Sequence, residues 1–231
     1  MKVDHQVVVE YLRRAGLQAY LDQPGFEGGV QQAVAWLQAT PVTVPDAVAL
    51  QYAVPVLSED GSCSLFDVLS PEPFDLQPVL GADTVALRQW LGRLDGWVAA
   101  LQERHQIGWI GVYQRRSLQG DDCLVKLAYR GKPSRAIFPL TETFARHSTN
   151  SSVGLSGRAR VIGDVSAHVA GGGAYYTCDP AVVSEACLPI LGGQGQVLGI
   201  MDAEDNRPGF FEAARLADLV ALCLLASAHL Q

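Results

Sequence analysis

The chain is 231 residues long, 48% hydrophobic and 18% charged, which takes it out of the disordered regime and allows one or two compact units. Its net charge is -7, its pI is near 5.1 and no segment concentrates Lys and Arg, so neither nucleic acid nor an anionic membrane is an expected partner. The opening MKVDHQVVVEYLRR lacks the apolar core of a secretory signal, and the longest apolar stretch, Leu216 to Ala228, falls short of the ~20 residues of a membrane helix.

Along the chain, Val7, Val8, Tyr11, Leu12 and then Phe26, Val30, Ala33, Val34, Leu37 recur at helical spacing, and Pro41 closes this pair. From Pro41 to about Ala82, prolines punctuate short apolar runs and the pattern gives no firm assignment. A strong amphipathic helix begins at Thr84, with Leu87, Trp90, Leu91, Leu94, Trp97, Val98 and Leu101 on one face. Ile107 to Tyr113 and Cys123 to Ala128 read as a β-hairpin with a long polar loop, Arg115 to Asp122. Ala136 to Leu140, Ala159 to Ile162, Ala186 to Ile190 and Val197 to Met201 are further strands, the last two joined by a glycine-rich turn, and a helix from about Phe211 to Ala228 ends the pattern. These elements define an α+β fold, a central antiparallel sheet flanked by helices, with a mostly helical extension at residues 1–83 and the main domain at 84–231.

Cys63, Cys123, Cys178, Cys187 and Cys223 are odd in number, scattered and without a Cys-x-x-Cys pair, which argues against a disulfide framework and against a metal site and fits a reducing, cytoplasmic compartment. Thiol chemistry then rests on one cysteine in a particular environment. Cys178 precedes Asp179, a good N-cap, and Pro180, a good first helical residue, so its thiol is expected at the positive end of a short helix with a lowered pKa. Strand periodicity turns Trp109 and Tyr113 to one face, pairs Glu185 with Cys187, and pairs Asp202 with Glu204. Carboxylates near strand ends, facing aromatics and a cysteine loop, suit an amino-bearing small molecule and a general acid; the same residues also read as core packing and a solvated turn.

GWIGVY (Gly108 to Tyr113), GKP (Gly131 to Pro133), DV (Asp164, Val165), CD (Cys178, Asp179), SE (Ser184, Glu185), LPI (Leu188 to Ile190) and LGIMDAED (Leu198 to Asp205) follow one another in an order that resembles free methionine-(R)-sulfoxide reductases, from roughly Trp97 onward. The resemblance implies a GAF fold, Cys178 as nucleophile, Trp109 and Tyr113 as pocket aromatics, and Glu185 and Asp202 as substrate-binding carboxylates, with Glu204 in place of a family aspartate. It further implies attack of the Cys178 thiolate on the sulfoxide sulfur, a protonated carboxyl group donating to the oxygen, and a sulfenic acid on Cys178.

Where the family carries two upstream resolving cysteines, this chain has Arg135 and Asn150. Three outcomes stay open. Cys187 serves as a substitute resolving thiol, an external thiol such as thioredoxin or glutathione reduces Cys178 directly, or turnover is lost and the pocket only binds. Gly171 to Gly173 ahead of Tyr175 and Tyr176 suit either a closing lid or a plain surface loop. The expected activity is thus reduction of free methionine-(R)-sulfoxide without a bound cofactor, with a non-catalytic GAF sensor for an amino-acid-like ligand as the alternative. The family relationship implies a homodimer, and the N-terminal residues read as a helical cap, a dimerisation element or a docking surface.

Overall fold

The structure, a computed structural model, describes residues 3–41, 50–59, 61, 64–81, 84–173, 175–176 and 179–230. Helix α1 (His5–Ala15) starts on Asp4, whose carboxylate accepts the Val7 amide, and stops at Gly16, which takes the left-handed conformation that ends helices. Helix α2 (Phe26–Ala39) follows a short 3-10 turn, Gln18–Asp22. Both bury the stripes that their periodicity predicts: Val8, Tyr11, Leu12 and Ala15, then Phe26, Val30, Ala33, Val34 and Leu37.

The proline-punctuated stretch folds as two small antiparallel pairs: β1 (Gln51–Tyr52) with β4 (Phe74–Asp75), and within them β2 (Pro55–Leu57) with β3 (Ser64–Leu69). The one-turn helix α3 (Gln77–Leu80) then leads toward α4 (Val85–His105), capped by the Thr84 hydroxyl. Among its described residues the extension thus begins with the helices α1 and α2 and continues with four short strands and the one-turn α3.

Strands β5 (Trp109–Leu118) and β6 (Asp121–Arg130) are longer than expected, and the long polar loop is absent. Leu118 pairs with Asp121, leaving Gln119 and Gly120, both at positive φ, as a two-residue turn. The hairpin tip reaches beyond the core, where Arg115 and Asp122 pair in solvent and no apolar alternation marks the strands.

After β7 (Ile137–Pro139) come α5 (Glu142–Ala145), α6 (Thr149–Ser156), β8 (Arg160–Ile162), α7 (Val165–Ala170), β9 (Ser184–Leu191), β10 (Val197–Asp205) and α8 (Ala213–Ser227). The six strands form one antiparallel sheet in the order β7-β6-β5-β10-β9-β8. One face packs against α1, α4 and α8, with α2 laid on α8, in a single core, and the opposite face carries a second, aromatic cluster beside α5 and α6. The N-terminal helices are part of the main core: the Tyr11 hydroxyl donates to the Pro189 carbonyl at 2.9 Å, and the Trp97 indole donates to the Leu37 carbonyl at 2.9 Å. No helix of the described residues is long and apolar enough to cross a membrane.

Candidate functional site

The aromatic face owes its pattern to register. Glu204 on β10 lies opposite Trp109 on one side and Glu185 on the other. One row along, Asp202 lies between Gly111 and Cys187, and in the next Ile200 lies between Tyr113 and Pro189. Opposed residues share a sheet face, so the period-two expectation that Trp109 and Tyr113, Glu185 and Cys187, and Asp202 and Glu204 point together holds, and all six share one face. Gly111 makes room for it. A Cβ there would stand 2.4 Å from the Trp109 ring, which folds across this position toward Tyr113, 6.3 Å away between centroids.

Three carboxyl groups in so dry a place cannot all ionise. Glu185 and Asp202 are 2% and 3% exposed. Burial, and then the charges of Asp202 and Glu204, hold Glu185 well above the usual carboxylate range. Burial pushes Asp202 up to about 7, offset in part by hydrogen bonds with Asn150 and Glu185. Glu204 is raised by burial and by Asp202 and Asp179. The Tyr175 hydroxyl bonds Glu185, and burial followed by the three carboxyl groups keeps that phenol neutral.

Asp205, the next residue, is a structural acid. Burial raises it, but hydrogen bonds from Arg207 and the Gly108 amide win, and the carboxylate is held low.

The mouth of the site is a cleft of about 780 Å³, within the range of small-molecule pockets. Trp109 and Glu204 form its inner end. Lys132, Pro133, Asp179, Ala181 and Val182 line one side, and Pro55, Leu65, Asp67 and Leu69 of the β2–β3 hairpin line the other. Lys132 pairs with Asp179 at 3.1 Å, and the Trp109 indole donates to the Lys132 carbonyl at 3.1 Å.

Cys178, the expected nucleophile, lies outside the described residues. The short helix expected after it is replaced by a single turn, in which Asp179 accepts from the Ala181 amide and no helix follows. The capping signal is met, but no apolar stripe continues behind it. Tyr175 reaches Glu185, whereas Tyr176 packs edge-on against Phe138 at 6.0 Å and lies 3.4 Å from the Ser64 hydroxyl.

Cys187 is wholly buried and donates to the Asn150 amide oxygen at 3.6 Å; burial, then Asp202 and Glu185, raise its thiol pKa well above the ordinary value. It is a poor thiolate. Its sulfur and one oxygen each of Glu185 and Asp202 lie within 4.8 Å of one another, the donor types that a small metal ion takes. The thiol bonds Asn150, while the buried Asp202 Oδ1 has no hydrogen-bond partner among the described residues. Phe138, Phe144 and the hairpin wall escaped sequence reasoning as site elements, because each reaches the site through tertiary packing.

An antiparallel sheet with the main helices on one face and a cleft of small-molecule size at the other defines an α+β domain. The chain belongs to the GAF domain family, which matches residues 64–230. No curated protein matches the sequence. Among solved structures, it is similar to the type II free methionine-R-sulfoxide reductase from Thermoplasma acidophilum, with a TM-score of 0.52 and 20% identity over 61% of this chain and 92% of that one. It is also similar to a free methionine-R-sulfoxide reductase from Neisseria meningitidis (TM-score 0.49, 22% identity, 60% of this chain and 78% of that one) and to a GAF sensor protein from Burkholderia vietnamiensis (0.48, 20%, 61% and 76%). At these identities the likeness is one of fold.

Proposed function

We propose that this GAF protein reduces free methionine-(R)-sulfoxide, with Cys178 as nucleophile. The observation that carries the reading is the buried, closely spaced pair of carboxyl groups, Glu185 and Asp202, on the same sheet face as Trp109 and Tyr113. It supplies a proton donor near neutral pH, negative charge for an ammonium group, and aromatic walls for the apolar side chain.

The Cys178 thiolate attacks the sulfoxide sulfur while Glu185, the more strongly raised acid, gives its proton to the oxygen. The S–O bond breaks and methionine leaves with its sulfur reduced by two electrons. Cys178 gives up the same two electrons and carries the oxygen as a sulfenic acid. Two equivalents of an external thiol such as thioredoxin or glutathione then restore Cys178, releasing a disulfide and water. An external reductant fits the burial of the three described cysteines, Cys123, Cys187 and Cys223, each with a raised thiol pKa. Glu204 and Asp202 hold the substrate ammonium, and Trp109 and Tyr113 its thioether body.

Methionine release, followed by amino-acid analysis with dithiothreitol as reductant, tests the reading. Turnover is expected with the R epimer only, and a loss of about 10²–10⁴-fold in Glu185→Gln. Equal turnover of both epimers, or unchanged turnover in Glu185→Gln with the fold intact, would contradict it.

A further inference from the structure

Arg135 is a buried cation without a counter-ion among the described residues. It is 6% exposed, and its hydrogen bonds run to neutral oxygens: Nε donates to the Ile137 carbonyl, and Nη1 donates to the Gly61 carbonyl at 2.9 Å and to the Tyr176 hydroxyl at 3.5 Å. Nη2 donates to no described residue, and no described carboxylate pairs with the guanidinium. Two rings support it, Phe144 at 4.8 Å and Phe138 at 5.4 Å. A guanidinium cannot shed its charge, and carbonyls and rings leave a buried positive charge uncompensated.

Other cations of the domain are provided for. Arg130 is paired with Asp95 at 2.6 and 2.7 Å, and Arg207 with Asp205 at 2.7 and 2.8 Å. Arg130 and Arg207 thus each hold a carboxylate, whereas Arg135 has none among the described residues and is open to neutralisation by a group that enters.

Its position says what that is. Tyr176, which touches the guanidinium, follows directly after Tyr175, which bonds Glu185. Two consecutive residues thus touch the acidic cluster and the cation, and Tyr176, Phe138 and Phe144 around the guanidinium belong to the aromatic cluster that also holds Trp109 and Tyr113. We propose that Arg135 receives the carboxylate of a zwitterionic α-amino acid whose ammonium group is held by the acidic cluster. This rests on the methionine sulfoxide reading and deepens it. Arg135 becomes the residue by which the site selects a free amino acid over one whose carboxyl group is tied up in an amide, through the paired donors that a guanidinium offers a carboxylate.

Isothermal titration in a Cys178→Ser background, which leaves the ligand unconverted and serves below as the native protein at position 135, with L-methionine-(R)-sulfoxide and with its carboxamide tests this. The acid is expected to bind the native protein about tenfold to a hundredfold more tightly than the amide, as a charge-assisted hydrogen bond would give. Arg135→Gln is expected to bind both alike, and Arg135→Lys to recover part of the preference. Because Arg135 also holds Gly61, a loosened hairpin would weaken both ligands together, so the ratio isolates the carboxylate contact. Equal affinities in the native protein, or an unchanged ratio in Arg135→Gln, would overturn the inference while leaving the methionine sulfoxide reading in place. Binding of neither ligand would overturn both.

Discussion

Glu185 and Asp202 each bring a carboxyl oxygen within 4.8 Å of the other in the protein interior, where burial raises the pKa of both. The folded-state pKa of Asp202, about 7, lies above its ordinary value of 3.8, so between these pH values the native state binds the proton more tightly than the unfolded chain. The contribution to stability is fully present below about 4 and is lost as pH rises toward 7. Urea unfolding is therefore expected to show falling stability from pH 5 to pH 8, with a shallower dependence in Asp202→Asn. The same slope in both proteins would contradict this.

Binding of an ammonium group favours the ionised carboxylates, so it should expel a proton from the cluster. Titration of the Cys178→Ser protein, which leaves the ligand unconverted, with L-methionine-(R)-sulfoxide at pH 6 in two buffers of different ionisation enthalpy is expected to give different heats, with proton release to the buffer. Identical heats would mean that the ligand does not reach the cluster.

Gly111→Ala would place a methyl group 2.4 Å from the Trp109 ring. The indole must swing away, breaking its bond to the Lys132 carbonyl and narrowing the inner cleft. The expected cost is about 1–3 kcal/mol in chemical denaturation, with ligand affinity down roughly tenfold. Unchanged affinity would show that the ring is no part of the binding wall.

Cys187, buried and protonated, should escape iodoacetamide in the native protein and react after unfolding in urea, as peptide mapping would show. Cys187→Ala should keep methionine release within about twofold of the native rate. A Cys187 that becomes oxidised during turnover would instead make it a resolving thiol.

Leu12 of α1 and Leu37 of α2 are wholly buried in the core that underlies the sheet. Leu12→Ala is expected to lose about 2–5 kcal/mol, a large part of the 5–15 kcal/mol that such a protein has. A single shifted unfolding transition is the expected result, and separate melting of the N-terminal helices would contradict their place in that core.

The stripes of α1, α2 and α4 were legible because a half-buried helix must alternate its faces every three to four residues, and Val8, Leu12, Val30 and Leu37 obey that rule. The pairing of Trp109 with Tyr113, Glu185 with Cys187, and Asp202 with Glu204 was legible from the two-residue period of a strand. The register that sets Glu204 between Trp109 and Glu185 is fixed by contacts distant in sequence. So are the β1–β4 and β2–β3 pairs. Arg135 was visible only as a residue standing where a cysteine was expected; its role as a buried cation depends on Phe138, Phe144, Tyr176 and Gly61 meeting in space.

Single-turnover chemistry at Cys178 bears on the central claim most directly. Reduced protein would be mixed with excess L-methionine-(R)-sulfoxide, with the S epimer as control and no added thiol, and intact mass and released methionine read together. One equivalent of methionine from the R epimer alone, one oxygen gained at Cys178, and neither event in Cys178→Ser is the expected result. No methionine from either epimer, with Cys178 shown to be reduced and the fold intact, would contradict the account.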